Sequence, residues 1–457
     1  MATKTTRTSG YRCSECGWSA VKWVGRCGEC QAWGTISEVG AAKVRTTAAA
    51  VLELPAIRIG DVDARRAHAH TTGVSEFDRV LGGGLVPGAV VLVAGEPGIG
   101  KSTLLLDVAA RAARADQTVL YVSGEESVAQ VRMRAERIEA MAKNLFLAAE
   151  TDLATVLGQI DRIGPGLVVI DSVQTIASAE VEGSAGNVSQ VREVAASLIQ
   201  LAKARGISIL LVGHVTKDGS IAGPRVLEHL VDVVIQFEGD RHSRLRLVRA
   251  VKNRYGPTDE VGCFDLSDVG IVGLPDPSGL FLSSRDLIVP GTCVTVTLEG
   301  RRPMVTEVQA LLAVTTAPSP RRTTSGLDAS RVAMILAVLD KRAGVSVRQA
   351  DCYASTVGGV RLSEPASDLA IALAMASSVS ERALPQGTVA MGEVGLAGEI
   401  RAVTGIPRRL AEAARLGFRK AVVPSGSLGS GPMPEDMLVI EVSDIHRAVS
   451  LMTQPVC

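Results

Sequence analysis

Nine residues constrain this chain more than any others. Gly95, Glu96, Pro97, Gly98, Ile99, Gly100, Lys101, Ser102 and Thr103 fit the pattern G-x-x-x-x-G-K-[ST] at every position. The apolar run Val90 to Val93 reads as the strand before such a loop. Ser102 to Arg114 reads as the helix after it, with Leu104, Leu105, Val108 and Ala112 on one face. Three glycines let the backbone turn tightly enough for its N–H groups to converge on phosphate oxygens, and the helix N-terminus adds a positive dipole end. In this P-loop reading Lys101 reaches the β- and γ-phosphates of ATP, Ser102 holds Mg²⁺ and Thr103 supports the α-phosphate.

A chain of 457 residues is long enough for about three domains. Its formal net charge is zero, so no global positive field draws in nucleic acid, and any such contact must be local. The sequence contains neither an apolar run of membrane-span length nor the apolar core of a signal peptide, which predicts a cytoplasmic protein without membrane contact.

Four of the eight cysteines are clustered. Cys13 and Cys16, then Cys27 and Cys30, form two C-x2-C knuckles that can close one tetrahedral thiolate site. Zn²⁺ is the expected ion, ahead of a single iron or a redox dithiol, since so short a segment needs a structural metal in place of a core. Trp18, Trp23 and Trp33 are expected to fill that small core, with base stacking as the alternative. We place this module at residues 1–39 and a linker at 40–70, with one short strand at Val51 to Ile59 and two solvated histidines, His68 and His70.

A core at residues 71–274 follows from the P-loop and three further apolar runs. Thr72 to Gly84 reads as a short amphipathic lead-in helix. Thr118 to Val122 reads as a strand leading into Ser123-Gly-Glu-Glu126, where Glu125 or Glu126 could orient the attacking water. Leu167 to Asp171 ends in a carboxylate that would hold Mg²⁺. Ile209 to His214 ends in an imidazole placed to sense the γ-phosphate or merely to cap the strand. Ligands bind at such strand ends in parallel α/β sheets.

With the cysteine knuckles, the P-loop, Gly124 to Ser127 and the segment Lys252-Asn-Arg-Tyr-Gly256, the chain resembles the RadA/Sms family of bacterial DNA repair proteins, whose core is related to RecA and DnaB-type helicases. Tyr255 stands where the family signature has phenylalanine. The resemblance implies a RecA-like α/β core with a parallel central sheet, and selects Glu125 over Glu126 as the catalytic carboxylate. It also implies a DNA-dependent ATPase that drives branch migration, a homo-hexameric ring, and contact with single-stranded and branched DNA. RecA or a replicative helicase component is an expected protein partner. Ala177 to Arg192 and Thr216 to Arg225 are the loops that would meet DNA in such a ring, or else are plain surface connections.

Residues 275–457 read as an α+β domain similar to the proteolytic domain of the Lon family, with helices at Ala329 to Leu339, Ser367 to Ser380 and Ile406 to Leu416. Ala366 stands where that family has its nucleophilic serine. The lysine region, Gly405 to Arg409, contains no lysine, so no proteolysis is expected, although Ser367 is a displaced candidate. Arg301, Arg302, Arg321, Arg322, Arg408 and Arg409 read as phosphate contacts or solvated surface.

Lys252 and Arg254 follow an apolar alternation and are expected to leave a strand as a charged tip with no acidic residue beside them. An in-trans finger on the γ-phosphate of a neighbouring subunit, a DNA contact and a solvated turn all fit that pattern. The rivals to a DNA-dependent motor are a KaiC-like signalling ATPase, an ATP-dependent protease and a non-enzymatic DNA-bound scaffold.

Overall fold

Continuous apolar runs, unlike alternating ones, mark strands covered on both faces. The runs at Val90–Gly95, Val119–Ser123, Leu167–Asp171 and Ser208–His214 form such strands. The computed structural model describes residues 10–39, 56–63, 67–214, 225–239, 244–277, 281–282, 289–429 and 433–451, in two units, Met1–Asp63 and Ala64–Cys457.

In the larger unit the first sheet has nine strands. Six are parallel, in the spatial order Val233–Glu238, Val90–Gly95, Ser208–His214, Leu167–Asp171, Val119–Ser123, Leu145–Ala149. Leu245–Asn253, Val261–Ser267 and Gly270–Gly273 extend one edge antiparallel. Alternate residues feed opposite cores. Val91 and Val93 pack with Leu104, Leu105 and Val108 of the helix Lys101–Arg114, whereas Val90 and Leu92 pack with Val156, Ile160, Val194 and Leu198 of the helices on the other face. The expected mixed α/β core with a parallel centre is therefore present.

The second sheet has seven strands, ordered Arg322–Ser325, Ala350–Thr356, Arg302–Val314, Thr292–Glu299, Thr388–Ala390, Lys420–Pro424, Leu438–Val442. The helices form at Ala329–Val338, Asp368–Ser380 and Ile406–Arg415, each within a residue of expectation. Asp368–Ser380 has ten buried residues and little amphipathicity, as a helix enclosed on all sides must.

Packing continues across the chain crossing at Pro275. Leu245 and Cys263 of the first sheet belong to the core that the second sheet covers. Arg302 is also not the phosphate contact or solvated residue expected. It is 7% exposed and forms an ion pair with Glu76 of the lead-in helix Ser75–Leu81, itself 1% exposed. Its guanidinium further donates to the carbonyls of Val261 (3.1 Å), Leu274 (2.8 Å) and Pro275 (2.6 Å).

The smaller unit is a three-stranded sheet, Ser19–Ala20, Gly10–Cys13 and Ile36–Val39. Cys13, Cys27, Ile36, Tyr11 and Trp18 form its small core. Trp23 and Trp33 do not join them; they are 63% and 74% exposed, which corrects the core-filling expectation for these two. Of the strand expected at Val51 to Ile59, residues 51–55 lie outside the described residues, and Ile59–Asp61 is a 3₁₀ turn. His68 and His70 are exposed. Among the described residues no helix is long and apolar enough to cross a membrane.

Candidate active site

The parallel strands finish along one edge, where register aligns Gly95 with His214 and Ser123 with Asp171. The loop after Gly95 turns into the helix through Gly100, whose φ of 110° disfavours any residue with a Cβ. Lys101 folds back so that Nζ donates to the carbonyls of Gly95 and Glu96, each at 2.8 Å. Burial pushes its pKa down to about 8, against the opposing charges of Asp171, Glu125 and Glu96. These three groups therefore share one electrostatic neighbourhood.

Asp171 is 7% exposed, and its Oδ2 accepts a 2.6 Å hydrogen bond from the buried hydroxyl of Tyr121. Burial and the adjacent carboxylate hold the phenol well above its usual pKa, so it remains a donor. Sequence reasoning passed over Tyr121, although a tyrosine inside an otherwise apolar strand must find a partner for its hydroxyl.

Glu125 Oε1 accepts from Ser172 Oγ at 2.7 Å and lies 3.0 Å from His214 Nε2. Burial alone would raise the Glu125 pKa; the bonds from Ser172 and His214 and the Lys101 charge outweigh it, and the net shift is downward. Glu126 instead forms an ion pair with Arg134. The tight turn between them and the strand requires Gly124, since a Cβ there would stand 2.0 Å from Thr175 Oγ1. Ser127 and Gln130 then form a capping box that starts the helix Val128–Arg137. His214 Nδ1 and both polar atoms of the Gln174 amide are buried without a hydrogen-bond partner among the described residues.

Lys252 and Arg254 lie elsewhere. Asn253 pairs with Val233, four residues before Phe237, the partner of Gly95, so both cations sit towards the sheet edge opposite the P-loop. Lys252 is inside the strand Leu245–Asn253, not on a tip, and its Nζ donates to the carbonyls of Glu228 (2.7 Å) and Val231 (2.8 Å). Arg254 does have an acidic neighbour: Asp232 Oδ1 is 3.1 Å away. The sequence window missed Asp232 because it comes from the preceding strand connection. Its carboxylate also receives Lys203 at 2.6 Å and the Val90 N–H at 3.0 Å.

The Ala177 to Arg192 segment is less free than its small residues suggest. The Gln190 side chain accepts from Ser178 N and donates to the carbonyls of Ser178, Val181 and Gly183. Its loop charges are Glu180 and Glu182, while Arg192 is on the helix Val188–Arg205. The Thr216 to Arg225 loop lies outside the described residues up to residue 224.

In the second domain Ala366 is fully buried, and Ser367 Oγ donates to the Glu364 carbonyl at 2.8 Å. Arg409, also fully buried, makes an ion pair with Glu364 and donates to the carbonyls of Val296 (2.7 Å) and Thr404 (2.9 Å). It is thus a structural clamp, neither solvated nor available to phosphate. Arg301 lies by Asp259, Arg408 donates to the Arg301 carbonyl, and Arg322 donates to the Ala350 carbonyl.

The ligand atoms of Cys13, Cys16, Cys27 and Cys30 all lie within 4.8 Å of one another, with Sγ–Sγ distances of 3.7 Å for Cys13–Cys30 and 3.5 Å for Cys16–Cys27. A tetrahedron with Zn–S bonds of about 2.3 Å has edges of about 3.8 Å, so the set fits Zn²⁺. A hydrogen bond with Thr35 leads the contributions that pull the Cys13 pKa down to about 6, whereas at Cys30 a bond from the Ala32 backbone is outweighed by burial and the neighbouring thiols, which push that thiol up to about 12.

Comparison with known proteins agrees with both sites. A family described as "AAA domain" matches residues 56–220, a rubredoxin metal binding domain matches 11–38, and subunit ChlI of Mg-chelatase matches 358–427, within the segment read as Lon-like. Proteins named DNA repair protein RadA are similar along almost their whole length. The one from Mycolicibacterium smegmatis is 54% identical over 98% of this chain and 97% of the relative; that from Mycobacterium tuberculosis H37Rv is 54% identical over 97% and 93%. The Streptococcus pyogenes serotype M1 protein is 46% identical over 96% and 98%. Among solved structures, a KaiC-like protein from Pyrococcus horikoshii OT3 matches at 22% identity, covering 46% of this chain and 100% of its own, with a TM-score of 0.38. With an ATP-binding AAA domain and a four-cysteine zinc ribbon, the chain belongs to the RadA family of DNA repair proteins.

Proposed function

We propose that this DNA repair ATPase is stimulated by single-stranded or branched DNA and couples hydrolysis to branch migration within a homo-hexameric ring. The observation that carries the hydrolysis in this reading is the Glu125 carboxylate, held by Ser172 and His214 at the strand edge that also bears Lys101 and Asp171, while the DNA, the ring and branch migration rest on the likeness to the RadA proteins. In the proposed mechanism the loop from Gly95 to Thr103 cradles the phosphates, with Lys101 leaving its two carbonyl partners for the β- and γ-oxygens. Asp171 and Ser102 supply the hard oxygen ligands that Mg²⁺ prefers; Asp171 Oδ1 accepts no hydrogen bond among the described residues. That ion would neutralise charge on the transferred phosphoryl group. Glu125 orients the attacking water, and His214 transmits the state of Glu125 to the chain that follows it.

Lys252 and Arg254 act in trans, because their sheet edge is remote from this chain's own P-loop. Of the two, Arg254 is the better candidate, being half exposed, while Lys252 is engaged by two carbonyls. The second domain contributes to assembly and has no peptidase activity. Supporting that, the hydroxyl of Ser367 is tied to the Glu364 backbone carbonyl, and the Glu364 side chain is paired with the buried Arg409.

ATP turnover measured with and without single-stranded DNA tests the reading. Stimulation is expected. Equal rates would refute the DNA-dependent motor and favour a signalling ATPase, and casein cleavage abolished by Ser367→Ala would refute the inactive-domain reading.

A further inference from the structure

All three tryptophans of the chain, Trp18, Trp23 and Trp33, lie in the zinc module. Trp18 packs against its core, but Trp23 and Trp33 are 63% and 74% exposed. Large indoles left in water at such cost are recognition surfaces when they cluster, and these two do. A Cβ added to Gly25 would stand 3.7 Å from the ring edges of both, so the rings flank a crevice left open by a missing side chain. The backbone fixes this arrangement: Arg26 forms an antiparallel bridge with Trp33, and Gly34 N donates to the Gly25 carbonyl at 3.1 Å.

The charges beside the rings identify the class of partner. Lys22 and Arg26 bracket Trp23, Val24 and Gly25 in sequence, and both are exposed. Arg26 is held by Gln31 through Nε and Nη2, which places its guanidinium 5.8 Å from the Trp33 ring centre. Neither cation has an ion-pair partner among the described residues; Arg26 is held only by the neutral Gln31. Flat apolar faces alternating with unpaired cations suit a polyanion that offers flat faces of its own. Unpaired nucleotides have both properties, whereas the bases of a duplex are stacked away inside it.

We propose that Trp23 and Trp33 form a stacking platform for the bases of single-stranded nucleic acid, with Lys22 and Arg26 on its phosphates. This gives the zinc module a direct role in gripping the strand and rests on the DNA-binding reading above.

The tryptophan distribution supplies the test, because intrinsic indole fluorescence of the full-length, zinc-loaded protein reports on this module alone. Titration with oligo(dT) in the absence of nucleotide should quench it. Trp23→Ala and Trp33→Ala should each weaken oligo(dT) binding about tenfold, the scale of losing one stacked base, while the zinc content stays at one per chain. Trp33→Phe should recover most of the affinity. Binding of oligo(dT) without quenching, or unchanged affinity in the zinc-loaded double alanine variant, would overturn the platform and leave the surface to a protein partner. Failure of the wild-type chain to bind oligo(dT) at all would overturn both this inference and the DNA-dependent reading of the ATPase.

Discussion

Tyr121 and Asp171 are fifty residues apart in sequence and 2.6 Å apart in the fold, hydroxyl to carboxylate, on adjacent parallel strands. The bond fixes the orientation of a carboxylate that we propose as a Mg²⁺ ligand, without occupying both of its oxygens. Tyr121→Phe removes the donor and little else. Partners that orient a metal-binding carboxylate typically contribute about 10–100-fold in metal affinity, so the Mg²⁺ concentration for half-maximal turnover should rise about tenfold or more, with nucleotide binding measured without Mg²⁺ unchanged. An unaltered Mg²⁺ dependence would mean that Tyr121 only fills space.

Glu125 and Glu126 are adjacent, yet one is held by Ser172 and His214 and the other by Arg134. Glu125→Gln should therefore bind ATP normally and lose at least a hundredfold in turnover, whereas Glu126→Gln should stay within a fewfold of wild type. The reverse pattern in steady-state rates would reassign the catalytic carboxylate.

The sequence contained the P-loop, the four buried strands and the cysteine knuckles because each is local: a pattern of consecutive residues implies its own geometry. What stayed hidden depends on residues distant in the chain. Asp232 neutralises Arg254 from across a strand connection, and Arg302 reaches Glu76 over more than two hundred positions. Trp23 and Trp33 misled for another reason. Aromatic residues in a tiny module look like its core, but Cys13, Cys27, Ile36 and Trp18 already fill the little volume there is.

The Arg302–Glu76 pair bears on whether the part of the chain before Pro277 can stand without the rest. Arg302→Ala leaves Glu76 buried with only the Cys263 N–H at 3.0 Å and Arg79 at 3.6 Å. Breaking a buried pair from one side costs about 3–5 kcal/mol, which should appear as a clear fall in the thermal midpoint. Truncation after Pro277 would remove Arg302 and uncover Leu245 and Cys263 as well. The shortened chain is thus expected to aggregate or unfold, not simply to fail in ring assembly; a well-folded, monomeric fragment in scattering and calorimetry would count against this.

For Arg254, a role in trans and a structural role through Asp232 make different predictions. Arg254→Ala protein should bind ATP yet lack DNA-stimulated turnover, and mixing it with Lys101→Ala protein should restore part of the rate at interfaces pairing an intact P-loop with an intact arginine. If mixing is proven by subunit exchange and no activity returns, Arg254 acts only by holding Asp232.

Lys101 provides a pH signature for the P-loop. Burial lowers its pKa in the folded chain from 10.5 to about 8. Between those values the unfolded chain retains a proton that the folded chain has released, so stability of the nucleotide-free protein should rise with pH across this window. Binding ATP has the opposite demand, because the triphosphate favours the ammonium form and pulls the pKa back up. Above a pH of about 8, ATP binding should therefore take up a proton and weaken progressively, by up to about tenfold per pH unit. Titration calorimetry at about pH 9 in two buffers of different ionisation enthalpy reads that uptake directly. It should approach one proton per site and vanish in Lys101→Met. Binding without proton uptake in the wild-type protein would show that the lysine is already fully charged when ATP arrives.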